Sequence, residues 1–498
     1  MNNFIAPSPP LGFFCLPNDV KRARNRRKDR IYRGFVIVFT FFIYASYHLS
    51  RKAISVVKNA WNCTTVTTHN WTQNATANCT GGWEPFDGPY GKVYLGTLDT
   101  CFLVAYAVTM FFISGQIGDR MNLRYFLLIG LLGSGIFTSA LGLPYFWNYH
   151  GLWYFAVMQI LAGAFQSTGW PSVVAVVANW FGLENRGLIL GIWNAHTSVG
   201  NILGSLIAGA VVAHWGWSFI VPGLINCGMG ILTALYLPSD PSEMNVSPPQ
   251  HHELPSEEDS LIDQDSHQTT ETTVPVSNAP PKAVGLCRAL RIPGVIEYAA
   301  SLFFAKLVAY TFLYWLPFYI HNTLKINGQY ISEEKAAYYS TFYDVGGIVG
   351  SIFIGYLSDV LKVRGIATVL MTYSSIPALF IYNRYGGLSE GATIGLSFMC
   401  GFFVNGPYAL ITTAVSADLG THKTLRGNDK AKATVTAIID GTGTSGAAVG
   451  PFLTGWIAGT GWKNVFYMLI TACAISGLLL TRIVIQDIRY LMKRRTRK

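Results

Sequence analysis

The chain has 498 residues, 51% of them hydrophobic and 12% charged, about half the charged share usual for a soluble globular domain. That composition excludes a soluble enzyme, a disordered scaffold and a secreted disulfide module. The 36 Lys/Arg against 26 Asp/Glu give +10, but the excess sits in two tails. The first 33 residues carry eight Lys/Arg against Asp19 and Asp29, and the last twelve carry six against Asp487. Charge placed this way marks tails beside a lipid bilayer and speaks against a nucleic-acid face.

Apolar runs of about 20 residues, enough to cross a bilayer, recur twelve times. Their centres lie near Ala45, Leu103, Gly135, Gly163, Gly200, Cys227, Val308, Gly347, Ile376, Val404, Gly446 and Ala474. The expected fold is an all-α membrane protein of 12 transmembrane helices in two six-helix halves. The basic run from Lys21 to Arg33 leads directly into the first span, so that span serves as the insertion signal and no cleaved leader is expected. With twelve spans, both tails fall on one side together with the short loops carrying Arg120, Arg124, Arg186, Lys362, Arg364, Lys423 and Arg426. The Lys/Arg bias makes that side cytosolic.

The first loop on the other side, residues 59–94, holds four N-x-Thr acceptors, at Asn62, Asn70, Asn74 and Asn78. Their clustering reads as a glycosylated lumenal or extracellular loop. Cys63 and Cys79 share it, either as a disulfide or as two free thiols. A further match, Asn245-Val-Ser247, falls on the cytosolic side and is expected to stay bare.

Residues 239–281 contain nine acidic residues, seven prolines and no Lys or Arg, a composition that buries no core. The expected organisation is a basic tail (1–33), a six-helix half (34–238), an acidic disordered cytosolic linker (239–291), a second six-helix half (292–486) and a basic tail (487–498). The halves echo each other. Gly115-x-x-x-Asp119-Arg120-x-x-x-Arg124 after span 2 returns as Gly355-x-x-x-Asp359, with Lys362 and Arg364, after span 8. Gly169-Trp170-Pro171 on span 4 matches Asn405-Gly406-Pro407 on span 10, and Thr197-Ser198 on span 5 matches Thr444-Ser445 on span 11. Such echoes indicate a duplicated unit with the binding site between the halves. In the repeated loop, Asp119, Arg120, Arg124, Asp359 and Arg364 are placed to pair across a cytosolic interface that breaks during rearrangement.

Ionisable residues inside spans are costly and usually face a polar cavity. His48, Arg51 and Lys52 lie on span 1, Asp99 opens span 2, and His196 lies on span 5. Lys306 is on span 7, Asp344 on span 8 and Asp440 on span 11. Arg51 stands roughly 25 Å along its helix, too deep to reach the cytosolic surface. Arg51 and Lys306 occupy equivalent helices of the two halves, where a planar guanidinium fork and an ammonium together suit a phosphate dianion. Three alternatives stay open: Arg51 reaching lumenal headgroups, Lys306 paired with Asp344 or Asp440, and Lys52 as second ligand or interfacial residue. His196 either lines the path or fixes helix packing, beside the polar Asn194 and Asn201. Tyr47, Trp170, Trp193, Tyr106 and Tyr310 either stack on a sugar ring or, as most of the 13 Trp and 26 Tyr must, serve helix packing and the interfacial belt.

The sequence holds no P-loop, HExxH, GxSxG or Cys/His metal spacing, so no metal, no cofactor and no enzymatic activity is expected.

Tyr47-His-Leu-Ser-Arg51-Lys52, Gly169-Trp-Pro171, Asn179-Trp-Phe181, Arg186-Gly187 and Ile192-Trp-Asn194 resemble the organophosphate:phosphate antiporters of the major facilitator superfamily. His196-Thr-Ser-Val-Gly-Asn-Ile-Leu-Gly204 and the stretch from Val404 to Gly420 are similar to the animal sugar-phosphate exchangers, solute carrier family 37. That resemblance implies exchange of a sugar phosphate such as glucose 6-phosphate for inorganic phosphate across the endoplasmic reticulum membrane. It also implies that Arg51 binds the substrate phosphate. The chain departs from bacterial members on span 2, where their lysine meets Met110 or Phe111. It departs again on span 7, where their basic residue falls about at Ala309, and on span 5, where their histidine falls at Thr197. The expected substrate contacts are Arg51, Lys52, Lys306, His48, His196, Tyr47, Trp170, Asn194, Tyr310 and Asn405. Other organic anions, proton coupling through His196 or Asp440, and a carrier-derived receptor or scaffold stand as rival readings. The lysosomal and plasma membranes are the other addresses, and no protein partner is specified.

Overall fold

Each of the twelve expected span centres lies within a helix. The computed structural model describes residues 26–62, 82–114, 121–181, 192–244, 246, 290–361, 363–416, 419 and 429–495. The first half comprises α1 (Arg26–Trp61), α2 (Gly91–Thr109, prolonged by a π-helical turn, Met110–Ser114), α3 (Leu123–Trp147), α4 (Leu152–Trp180), α5 (His196–Ala210) and α6 (Trp215–Tyr236). The second comprises α7 (Val295–Thr323), α8 (Glu333–Leu361), α9 (Arg364–Tyr385), α10 (Glu390–Leu410, prolonged by a π-helical turn, Ile411–Val415), α11 (Asp429–Ile457) and α12 (Trp462–Leu479). A last helix, α13 (Thr481–Arg495), follows α12.

Nine of these helices are long and apolar enough by composition to cross a membrane, among the described residues. The other three are α1, α5 and α11, the helices that carry Arg51, His196 and Asp440. Helix α5 spans only 15 residues, and each of the three packs one side against the opposite half, where polar side chains find protein partners. The outward surface keeps large apolar side chains such as Phe112, Trp153, Ile136, Phe380 and Trp456, as contact with acyl chains requires.

The duplication is visible in which helices pack together. In the first half, α1 packs on α5 and α6, α2 on α4, and α3 on α4 and α6. Raising every number by six gives the second half: α7 on α11 and α12, α8 on α10, and α9 on α10 and α12. The halves meet along α1–α7, α2–α11 and α5–α8, a set that maps onto itself when the halves are exchanged, as a two-fold relation between parallel repeats demands.

At the face opposite the termini these contacts are close. A Cβ on Gly96 of α2 would lie 2.9 Å from the Pro451 carbonyl of α11, and one on Gly209 of α5 would lie 2.8 Å from the Ala337 Cβ of α8. Asn322 Nδ2 donates to Asn59 Oδ1 at 3.3 Å between α7 and α1. The interface is therefore sealed at that face.

Several boundaries differ from expectation. Helix α1 begins at Arg26, ahead of Gly34, because the basic turn continues the helix into the headgroup region. The expected linker is structured at its start. Ser239, Glu243, Met244 and Val246 are buried, and the Glu243 carboxylate pairs with Arg124 at the end of α3. Burial pushes the Glu243 carboxyl above its ordinary value, opposed by the Ser239 hydroxyl bond and the Arg124 charge. The rest of the linker through residue 289, Asn245, Asn70, Asn74, Asn78, Cys63 and Cys79 lie outside the described residues. Asn62 lies within them: its side chain is buried and Nδ2 donates to the Phe86 carbonyl at 2.8 Å.

Candidate functional site

The interior of this protein is organised by buried charge. Lys58 of α1 pairs with Asp99 of α2, both fully buried, and Lys58 Nζ also donates to the Tyr314 carbonyl of α7 at 3.1 Å. Its ammonium lies 4.2 Å from the centre of the Trp315 ring. Lys306 of α7 pairs with Asp440 of α11 at 2.7 Å. Each pair offsets the cost of its own charges in a low-dielectric interior.

Arg51 is different. Its side chain is buried, yet its hydrogen bonds go to neutral partners: Nε donates to Gln166 Oε1 at 2.7 Å and one terminal nitrogen to the Tyr310 hydroxyl at 3.4 Å. Its guanidinium carbon stands 5.3 Å from the centre of the Phe102 ring and 5.0 Å from that of Tyr106. Aromatic faces attract a cation but do not neutralise it. Gln166 is itself fixed, because Nε2 donates to the Tyr47 carbonyl and Ser50 Oγ at 3.3 Å and to Ser134 Oγ at 3.1 Å. It acts as a positioning residue for the guanidinium.

Next to Arg51, across the Tyr310 ring, lies the larger cavity between the halves. It is lined by His48 of α1, by Asn194, Thr197, Ser198 and Asn201 on and before α5, and by Tyr310 and Leu313 of α7. Tyr343 and Asp344 of α8 and Asn405 and Tyr408 of α10 complete its polar wall. Arg51 itself borders a smaller cavity with Ser50, Phe102, Gln159 and Tyr314. Tyr310 lines the larger cavity and its hydroxyl accepts from Arg51, so it stands between the guanidinium and that cavity.

Of the expected contacts, His48, Asn194, Tyr310 and Asn405 line the larger cavity, and Arg51 reaches it through Tyr310. Others sit elsewhere. Tyr47 is fully buried in an apolar cluster with Leu127 and Val173, its hydroxyl 3.4 Å from Thr168 Oγ1. Lys52 spends its ammonium on the Leu313 carbonyl at 2.7 Å. Lys306 is committed to Asp440, so of the readings open for it the ion pair is the one the structure contains. His196 is enclosed by the rings of Tyr44 and Trp193, centroids 4.7 and 4.4 Å away, beside Trp170 at 6.2 Å. These rings pack on one another and leave the cavity wall to the neighbouring Thr197. One residue is about 100° around a helix, enough to exchange wall for core.

Of the residues expected to pair across the cytosolic interface, Arg124 donates Nε to the Leu237 carbonyl at 2.7 Å and a terminal nitrogen to Glu243. It ties α3 to the segment after α6. Asp359 is exposed, Arg364 lies at the start of α9, and Asp119 and Arg120 lie outside the described residues. Sequence reading singled out Asp344 as an ionisable residue inside a span but missed Gln166 and Lys58 as parts of the interior network, since nothing in a single span shows which face a polar residue presents.

The family model for the Major Facilitator Superfamily matches residues 35–428. The glucose-6-phosphate exchanger SLC37A2 of Homo sapiens is 50% identical over 475 residues, covering 93% of this chain and 94% of the relative. The chain is a member of solute carrier family 37, within the Major Facilitator Superfamily. It is similar also to the glucose-6-phosphate exchanger SLC37A2 of Danio rerio, 50% identical over 94% of this chain and 96% of the relative. The putative glycerol-3-phosphate transporter 1 of Arabidopsis thaliana is 51% identical over 92% and 88% of the two chains. A solved bacterial homologue of the human lysosomal transporter Spinster, in an inward-facing, unoccupied conformation, superposes with a TM-score of 0.61. It covers 92% of this chain and 98% of its own at 14% identity, a likeness of fold. The protein is thus a multi-pass membrane transporter of this family.

Proposed function

We propose that the protein exchanges a sugar phosphate of the glucose 6-phosphate type for inorganic phosphate by alternating access. The observation that carries this reading is Arg51, a buried cation whose bonds are all to neutral groups. Such a charge is expensive in a dry interior until an anion joins it, and a phosphoryl group matches the guanidinium fork. The printed names of the relatives, glucose-6-phosphate exchangers and a glycerol-3-phosphate transporter, support the same substrate class.

Exchange follows from the electrostatics. A carrier that closes around an uncompensated Arg51 faces a barrier that either phosphate-bearing substrate removes, so loaded forms reorient and the empty form does not. The sealed face opposite the termini fits a state that loads from the side of the tails. We assign that side to the cytosol and the membrane to the endoplasmic reticulum, with Asn70, Asn74 and Asn78 bearing glycans and Cys63 and Cys79 sharing the lumenal loop. The stretch from residue 247 to 289 is taken as the tether between the halves.

The test is uptake of labelled glucose 6-phosphate into proteoliposomes loaded with phosphate. Uptake that requires internal phosphate and releases it supports the proposal; uptake driven by a proton gradient and indifferent to internal phosphate contradicts it.

A further inference from the structure

Asp344 has no role in the phosphate site just described. It is 3% exposed and lines the larger cavity from α8. One carboxylate oxygen, Oδ1, accepts from Asn201 Nδ2 of α5 at 2.9 Å, and Asn201 Oδ1 in turn stands 3.3 Å from His48 Nδ1 of α1. The chain His48–Asn201–Asp344 thereby crosses from the first half to the second and fixes the carboxylate. Its other oxygen, Oδ2, is buried and has no hydrogen-bond partner among the described residues. The nearest cation along α1, Lys52, is engaged by the Leu313 carbonyl.

An ionised carboxylate only accepts hydrogen bonds, and a buried acceptor left unmet is costly. The missing partner must bring a donor. Phosphate oxygens at neutral pH repel a carboxylate, whereas sugar hydroxyls donate. Two groups of opposite chemistry therefore flank Tyr310: the cation Arg51, which bonds its hydroxyl from the smaller cavity, and the hydroxyl acceptor Asp344 in the larger cavity that Tyr310 lines. Such a site suits a molecule with an anionic head and a hydroxylated tail.

We propose that Asp344, positioned by Asn201 and His48, binds the hydroxyl groups of the organic part of the substrate and so selects polyol phosphates over phosphates that lack hydroxyls. This inference rests on the exchange reading above. It adds a residue that distinguishes the two partners of the exchange: inorganic phosphate engages Arg51 alone, while a sugar phosphate engages both ends. A site built to bond a substrate hydroxyl rejects an analogue without one, because its own polar group then stays unpaired.

The experiment uses full-length protein in phosphate-loaded proteoliposomes and measures how glucose 6-phosphate and methyl phosphate compete with external labelled phosphate. The readout is the ratio of the two half-inhibitory concentrations, which a general loss of transport does not change. In the wild type glucose 6-phosphate competes better. In Asp344→Asn the ratio collapses by roughly 10- to 100-fold, the loss expected for hydrogen bonds to a charged group. Asp344→Glu, which keeps the carboxylate but moves it by one methylene, shifts the ratio by a smaller factor and covers the case in which the amide variant does not fold. A ratio equal to that of the wild type in both variants overturns the proposal. Absence of phosphate exchange in the wild-type vesicles would instead overturn the exchange reading, so the two failures are told apart.

Discussion

Arg51 and Lys306 stand on helices that the duplication makes equivalent, α1 and α7, and the two cations have opposite electrostatic settings. Lys306 holds Asp440 at 2.7 Å; Arg51 holds a glutamine and a tyrosine. The difference comes from α11 and α5. Thr197-Ser198 and Thr444-Ser445 fix the correspondence of those helices, and by it the position matching Asp440 is Trp193, an indole that packs on His196. Duplication has kept the backbone pairing of the halves while Lys306 is paired with an acid of its own half and Arg51 is given neutral partners. On the proposed function, a ligand supplies the charge that Arg51 lacks, so a symmetric fold carries an asymmetric site.

Four sets of variants sharpen or break this contrast. The largest effect is expected from Arg51→Gln, which removes the uncompensated charge. Phosphate exchange falls at least about 100-fold, while the melting temperature in detergent stays level or rises, since a costly buried cation is gone. A marked loss of melting temperature would show that Arg51 is structural, like Lys306.

The counterpart is Lys306→Met or Asp440→Leu alone. Each strands a buried charge and is expected to destabilise by about 3–5 kcal/mol, with the double variant returning to wild-type stability or above it. Additive losses in a double-mutant cycle of thermal melts would deny the pair.

Gln166→Glu turns Arg51 into a second Lys306. The carboxylate neutralises the guanidinium within the protein, so binding of phosphate, read by isothermal calorimetry, is lost while stability is kept. Retained affinity would mean that the charge state of Arg51 does not govern binding.

The smallest effect belongs to the neighbours on α5. Thr197→Val alters competition by sugar phosphates because Thr197 lines the cavity, whereas His196→Gln lowers the melting temperature with little change in exchange. The reverse assignment, scored by the same two assays, would show that the helix is rotated from the described position.

The twelve spans were legible because apolar length is a strong signal, and even the polar α1, α5 and α11 were found by it. Arg51 was legible as well, since an arginine deep in a span has few ordinary explanations. Rotation about each helix axis was not legible. The sequence places His196 and Thr197 side by side, yet rings enclose one and the cavity takes the other. Partner choice was equally hidden. Lys306 had Asp344 and Asp440 as rival acids, and only the packing of α7 on α11 decides for Asp440. Gln166 carries no charge to draw notice, and its role arises from Ser50, Ser134 and Tyr47 converging on it from two other helices. Arg124 was read as an interface residue because its acid, Glu243, lies in a stretch whose composition resembles a disordered linker.

The most direct test of the central claim compares labelled phosphate uptake into vesicles with and without internal phosphate, for the wild type and Arg51→Gln. The account predicts rapid uptake by the wild type in loaded vesicles, little in empty ones, and none attributable to Arg51→Gln in either. Wild-type uptake that is as fast into empty vesicles, or undiminished exchange by Arg51→Gln, would contradict it.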